Sequence, residues 1–285
     1  MGHPDAGDTV GGSTPLHASL AESYDAYPRI EETFQAVLDS SLNPRGPDFL
    51  FDLLTSFVLP ANGVAVDVGC GEGRDAIELA RRFGLRVHGI DPVQRHIELA
   101  SALAASEGLS HAAEFRVGAA EELPIPNATA DLVWCKEVLM YVDLHEAFRE
   151  FARVLRPSAF GLVYQVLTGS RMSDAEARHF WEGEPGSAHA HSVRPADIEA
   201  AIASVGLELR ARIDFASEWG EYAQERTGAG GRRLLHAARL LRAPQRYIEQ
   251  FGEIPYQIML ADCLWHVYRM IGKLDGAAFV FTKPN

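Results

Sequence analysis

Cysteine and lysine are scarce in this 285-residue chain. Its cysteines are Cys70, Cys135 and Cys263. They are few, odd in number and far apart, which excludes a disulfide framework and a metal knuckle and suits a reducing cytoplasm. Lysine occurs only at Lys136, Lys273 and Lys283. The remaining cations are arginines, which together with abundant alanine reads as codon bias rather than chemistry. Apolar runs of 18 residues are missing, so no membrane span is expected. The first residues lack the basic start and apolar core of a secretory leader. Positive charge is in deficit: Lys plus Arg is 26 against 39 Asp plus Glu, a formal charge of −13. Such a field repels phosphate backbones and anionic membranes. The expected partner is therefore a small molecule, with neither nucleic acid nor membrane, and monomer and homodimer stay equally open.

What is present is ordinary globular composition, 47% apolar and 23% charged. Residues 1–14, rich in Gly, Asp, Thr and Pro, read as a disordered tail. Three helical segments follow, about 16–25, 28–40 and 47–58, punctuated by Pro28, Pro44 and Pro47. Then strand and helix patterns alternate over 62–168. Val64 to Val68, Leu85 to Ile90, Phe115 to Val117, Asp131 to Cys135 and Phe160 to Leu167 read as strands. Helices are expected over 73–83 and 93–105. Leu144, Ala147, Phe148, Phe151, Ala152 and Leu155 fall at helical spacing. Alternation of this kind means right-handed βαβ units and a parallel sheet, with a ligand at the carboxyl ends of its strands.

After Leu167 the pattern weakens. Residues 170–192 read as polar and irregular. Helix 195–205 and strand 206–214 return to the sheet, 218–274 is largely helical, and Ala277 to Thr282 is a last strand. The expected fold is α/β: a Rossmann-like, doubly wound, mostly parallel seven-stranded sheet with a helical cap. Residues 15–285 then form a single domain. Its core covers about 60–168, 194–216 and 275–283, and its cap about 15–58, 170–192 and 218–274.

The segment with most information is Val66-Asp67-Val68-Gly69-Cys70-Gly71-Glu72-Gly73-Arg74, between a strand and a helix. Glycines there admit a ligand to the backbone, and the helix start presents free N–H groups. The third glycine comes one residue too early for a dinucleotide fingerprint, and no Gly-Lys-Ser/Thr follows for a phosphate loop. In Gly89-Ile90-Asp91-Pro92 the carboxylate stands about 20 residues after the loop, where it can accept both hydroxyls of a ribose. Loop and carboxylate together specify an adenosine-bearing ligand without demanding a pyrophosphate.

Over residues 60–168 the chain resembles the class I S-adenosylmethionine-dependent methyltransferases. Asp67 to Gly73 and Asp91 carry the likeness. So do Ala120-Glu121-Glu122-Leu123-Pro124, Asp131-Leu132-Val133-Trp134 and Arg153-Val154-Leu155-Arg156-Pro157. The resemblance implies S-adenosylmethionine as cofactor, with S-adenosylhomocysteine as product. It implies cofactor contacts from Asp67, Gly69, Cys70, Gly71, Gly73, Asp91, Pro92, Ala119, Ala120, Glu121, Cys135 and Lys136. The methionine part would lie against Gly69 to Gly73, the ribose on Asp91, the adenine near Ala120, and the methyl path beside Cys135 and Lys136. Two positions depart from the pattern. Ala119 stands where the family often has Asp, so the adenine contact is missing or moved to Glu121. Pro157-Ser158-Ala159 replaces the usual Pro-Gly-Gly turn.

Methyl transfer from a sulfonium needs mainly positioning, worth about 7–11 kcal/mol, so a catalytic triad is not required. Three residues are candidates for work at the acceptor. Tyr24, ahead of the sheet, could close over the cofactor or pack the cap, and packing is the better reading for Tyr27. Glu137, after the fourth strand, could hold a cationic or N–H-bearing acceptor, or simply serve a helix start. His191, in Ala188-His189-Ala190-His191-Ser192, could act as a base from a lid. No third ligand stands near its partner histidine, so no metal is expected. Trp181, Trp219 and Trp265 could wall an apolar pocket, although Trp265 sits in a core-like stretch.

The resemblance extends to actinobacterial natural-product methyltransferases, which act at oxygen, at nitrogen and at C3 of indoles. A small aromatic acceptor is the expectation, an indole carbon being one form of it. A non-catalytic module that keeps the cofactor pocket is the alternative.

Overall fold

A computed structural model describes residues 20–182 and 193–285. The chain divides into two units, Met1–Asn43 and Pro44–Asn285. The described part of the first is essentially one helix, α1 (Leu20–Leu38). Two helices broken at Pro28 were expected. The helix runs through Pro28 instead, and the Arg29 guanidinium donates to the Asp25 carbonyl one turn back. A proline removes one backbone donor, which an exposed helix can tolerate by bending. Tyr24, Tyr27 and Phe34 on this helix are exposed.

The second unit holds the sheet. In chain order its elements are α2 (Phe49–Leu54), β1 (Val64–Val68), α3 (Arg74–Phe83), β2 (Arg86–Asp91), α4 (Gln94–Ser106), β3 (Ala113–Val117) and β4 (Ala130–Lys136). Then come α5 (Leu144–Val154), β5 (Leu155–Thr168), α6 (Asp174–Glu182), α7 (Pro195–Ser204), β6 (Glu208–Ala216), α8 (Glu218–Thr227), α9 (Ala229–Arg242), α10 (Pro244–Phe251), α11 (Glu253–Met270) and β7 (Leu274–Thr282). The strand order is β3-β2-β1-β4-β5-β7-β6. β7 runs antiparallel to both its neighbours, and the first five strands pair in parallel.

β1 and β4 are covered on both faces, which is why they read as continuous apolar runs rather than alternating ones. Trp134, Tyr164, Phe148, Phe151, Phe279 and Phe281 are among the largest fully buried side chains. The strand order reverses between β1 and β4, and the crevice at such a switch point is where open α/β sheets bind ligands.

Two motif pieces prove to be braces. Glu150, buried, accepts from the Leu123 N–H, while Arg153 donates to the carbonyls of Leu123 and Ile125. The strand connection from 123 to 127 is thereby fastened to α5. Arg156 forks onto Asp131, whose other contact is the N–H of Val64. At the departed turn Ser158 takes φ +63°, the left-handed conformation that a glycine would hold without strain. Its N–H donates to Lys283.

Part of the stretch 170–192, expected to be irregular, is helical. α6 begins where the Ser173 hydroxyl and N–H both meet the Glu176 carboxylate. It is held by burial of Ala177, Phe180 and Trp181. Trp181 donates to the Thr168 hydroxyl and meets Trp265 edge to face, so both are packed aromatics rather than pocket walls. The helices α8–α11 form the layer beside β6 and β7, where Trp219, Leu264, Trp265 and Tyr268 pack against the main core.

Candidate functional site

The glycine loop lies between β1 and α3. The N–H groups of Gly69 and Cys70 both donate to the Ile90 carbonyl at the end of β2, at 2.7 and 3.1 Å. This draws the loop over the carboxyl edge of the sheet. Gly71 has φ +50° and open space where a Cβ would point, whereas Gly73 has φ +82° and would place a Cβ 2.8 Å from Ala100 and Phe115. Gly71 thus leaves open space beside the backbone, and Gly73 allows α3 to pack on α4 and β3.

A cavity of about 240 Å³ opens here, lined by Asp67, Gly69, Cys70, Gly71, Glu72, Arg74, Asp75 and Lys136. Asp91 stands directly behind it. Its carboxylate accepts from the N–H groups of Gly71 at 3.0 Å and Val93 at 2.9 Å, and its Oδ1 lies 2.9 Å from His96 Nδ1. A carboxylate offers about four acceptor positions. Three are engaged by protein, so ribose hydroxyls would share Asp91 with the half-exposed His96.

Asp67 forms the floor. It is 2% exposed, and its Oδ2 has no hydrogen-bond partner. Burial, and then the neighbouring charge of Asp75, push its carboxyl well above the usual carboxylate range, while Lys136 and the Ala76 N–H pull the other way. An orphaned carboxylate oxygen in a dry floor wants a cationic or N–H-bearing ligand. The cavity therefore fits the ammonium and sulfonium of an amino-acid sulfonium cofactor, with Asp91 placed for its ribose.

The sign of the pH effect follows from the raised value. At low pH Asp67 is neutral folded and unfolded, so it costs nothing. As pH rises from the ordinary carboxylate range toward the raised folded value, the unfolded chain gives up this proton while the buried native carboxyl keeps it, and stability is lost over that window. Asp67→Asn should therefore be more stable than the wild type at pH 8, by about 1–3 kcal/mol. The gain should shrink as pH is lowered toward the ordinary carboxylate range. Thermal melts of both proteins across this range check it. A variant that melts no higher at pH 8 would contradict the assignment of an uncompensated charge.

The other expected residues distribute unevenly. Lys136 lines the cavity and pairs with Asp75 at 2.6 Å, and Trp134 Nε1 donates to that same carboxylate at 3.1 Å. Asp75 was not among the expected site residues. Its only signal is an acidic side chain in the first turn of α3. Pro92 is exposed and Ala119 is exposed; neither lines the cavity. Ala119 forms a small bridge with Glu122, and Ala120 is buried beside it. Glu121 accepts from the Asp143 N–H at 3.2 Å, so its carboxylate is turned toward the start of α5. Cys135 corrects the expectation: it is fully buried, and burial pushes its thiol pKa upward. It does not line the cavity, although its thiol is close enough to the Asp67 carboxyl for that charge to add to the upward push. Cys70 does line the cavity, its thiol pKa also raised by burial and by Asp67.

Glu137 follows directly, with φ +59°. A non-glycine residue held there is strained, and such residues cluster at functional sites. Its N–H is fixed by the Tyr164 carbonyl, and its carboxylate faces Arg269 at 3.8 Å. Tyr24 lies in the N-terminal unit. His191 lies outside the described residues. Among the described residues no cluster of three or more His, Cys, Asp or Glu could hold a metal, and no helix is long and apolar enough to cross a membrane.

Residues 66–163 match the methyltransferase-domain family. Methyltransferase GfsG from Streptomyces halstedii is 30% identical over 155 residues, which are 54% of this chain and 55% of that protein. The chain thus aligns with about half the length of that relative. Among solved structures, a geranyl diphosphate methyltransferase in complex with S-adenosylmethionine superposes with a TM-score of 0.61 at 20% identity, over 83% of each chain. The [4+2]-cyclase SpnF superposes with a TM-score of 0.65 at 21% identity, over 92% of this chain and 96% of its own. The fold is that of S-adenosylmethionine-dependent methyltransferases, and the methyltransferase-domain match spans the glycine loop, Asp91 and β4.

Proposed function

We propose that this chain transfers a methyl group from S-adenosylmethionine to a small-molecule acceptor and releases S-adenosylhomocysteine. The observation that carries the reading is the cavity floor: Asp67 with an orphaned oxygen, roofed by the Gly69–Gly73 loop and backed by Asp91. When bound there, the cofactor supplies an electrophilic methyl group already activated by the sulfonium charge. In this reading Asp67 and Lys136 hold the amino-acid end, Asp91 the ribose, and the chain around Pro92, Ala119, Ala120 and Glu121 the adenine. The chain's own contribution is to align the acceptor and exclude water.

A small aromatic acceptor is the finer reading, because Trp219 and Tyr222 stand on α8 in a separate cleft close to Glu137. Oxygen, nitrogen or carbon, including C3 of an indole, could be the atom attacked. A second reading has one specific support: SpnF bears the name of a cyclase, and a fold by itself does not fix the reaction. On that reading the cavity binds the cofactor without turnover.

Mass-spectrometric product analysis separates the two. Protein, S-adenosylmethionine and a panel of phenols, amines, indoles and aromatic acids are incubated together. A product heavier by one methyl, matched by an equal amount of S-adenosylhomocysteine, is expected. Tight cofactor binding with no turnover across the panel would favour the second reading.

A further inference from the structure

A second cleft, of about 310 Å³, lies between α8, the start of α9 and α11. Trp219, Tyr222, Arg226, His266, Arg269 and Met270 define its character. Consecutive residues of the chain relate it to the cofactor cavity: Lys136 lines that cavity, and Glu137 faces the Arg269 of this cleft.

Its charge is unusual for this molecule. The whole chain carries −13, yet no carboxylate lines the cleft, while two arginines do. Arg269 is the informative one. Its side chain is 14% exposed. Its guanidinium has five N–H donors but among the described residues makes one hydrogen bond, to the Tyr164 hydroxyl at 3.1 Å. That phenol is neutral, since burial pushes its pKa upward. The Glu137 carboxylate at 3.8 Å is beyond hydrogen-bond distance. The rest of the guanidinium lies over the Trp219 ring, 5.4 Å from its centroid. Trp219 is itself stacked on Tyr164 at 4.0 Å, and its indole N–H has no acceptor. Arg226 lies over the Tyr222 ring at 4.4 Å and forms no ion pair among the described residues. His266 is held toward its neutral form by burial. A mostly buried guanidinium with one neutral hydrogen-bond partner and a carboxylate only at ion-pair distance keeps N–H donors open for a second anion.

We propose that this cleft receives the anionic oxygen group of the acceptor, a carboxylate or an equivalent oxyanion on an aromatic or otherwise flat apolar body. Arg269 is the anchor, Arg226 the outer cation, and Trp219 with Tyr222 the apolar walls. Glu137, whose expected role was to hold a cationic acceptor, then orients Arg269 instead. The proposal rests on the methyl-transfer reading, because the cleft earns its meaning from its place beside the cofactor cavity.

Benzoate and benzamide are matched probes, alike in shape and differing in charge. Each is titrated into the S-adenosylhomocysteine-saturated protein, and the Trp219 indole N–H resonance is followed, assigned with Trp219→Phe. Benzoate is expected to shift it in a saturable way and benzamide to bind at least about tenfold more weakly, the usual scale of a charge-assisted pair. Arg269→Gln should abolish the preference while S-adenosylhomocysteine affinity stays within about twofold. Arg226→Gln should weaken benzoate by a smaller factor. Equal response to the two probes, no response to benzoate, or a preference that survives Arg269→Gln would each overturn the proposal. If Arg269→Gln does not fold, the wild-type comparison of the two probes decides. Failure to bind S-adenosylhomocysteine at all is a separate outcome, and it strikes the methyl-transfer reading rather than the cleft.

Discussion

Asp91→Ala should cost the protein both stability and cofactor. Removing the carboxylate leaves the N–H groups of Gly71 and Val93 without their acceptor and frees His96. Unsatisfied buried donors cost about 1–3 kcal/mol each, and these two are only partly buried, so a loss of about 1–3 kcal/mol in total is expected even without ligand. The glycine loop, no longer tied to β2 through that carboxylate, also loses its shape. Affinity for S-adenosylhomocysteine should fall at least about a hundredfold, since two charge-assisted hydrogen bonds at about 1.5–3 kcal/mol each make about 3–6 kcal/mol. Asp91→Asn separates the two effects. An amide keeps one acceptor for the loop, so most stability should return while affinity stays low. Calorimetric titration together with thermal melts reads both. An Asp91→Ala protein that binds as tightly as the wild type would remove Asp91 from the site.

The two inner glycines should fail in opposite ways. Gly73→Ala adds a methyl 2.8 Å from Ala100 and Phe115 at φ +82°. Strain at such a φ and overpacking each cost about 1–3 kcal/mol. Melting should drop by about 2–4 °C for each kcal/mol lost, while the folded fraction still binds cofactor. Gly71→Ala meets nothing within 4 Å, so its stability cost is confined to the backbone. Its methyl instead occupies the cavity, and S-adenosylhomocysteine affinity should fall by at least about tenfold, the cost of a misfit near 1.4 kcal/mol. Were Gly73→Ala to lose affinity without losing stability, Gly73 would be a ligand contact and not a packing residue.

Sequence and structure agree where the signal is local. Five strands of the alternating region fall where their apolar runs end in turn residues, and β5 alone is much longer, because Leu155 already pairs with Ala130 ahead of an irregularity, and the ladder resumes at Phe160. Gly71 and Asp91 are 20 residues apart, within one βαβ unit, so their meeting follows from that unit's geometry. Pairings across the fold carry no such trace. Nothing near Arg269 announces Tyr164 or Glu137, more than 100 residues earlier, and the pairing exists only because α11 returns beside β5 through β7. Asp75 and Lys136 meet in the same way, since β4 is inserted next to β1. Cys135 and Lys136 are adjacent in sequence yet opposite in role, because strand alternation turns them to opposite faces and Lys136, the last residue of β4, is only half-buried. Pro28 misled for a physical reason: a proline weakens a helix by one hydrogen bond, and flanking residues on both sides can keep it intact.

The central claim is that the cavity above Asp67 binds S-adenosylmethionine and its product. Isothermal titration of S-adenosylhomocysteine into the purified chain tests it most directly, with NAD titrated in parallel. The account predicts one site per chain for S-adenosylhomocysteine, lost or strongly weakened in Asp91→Asn, and no heat from NAD. No binding of S-adenosylhomocysteine by the folded wild type, or equal binding by Asp91→Asn, would contradict it.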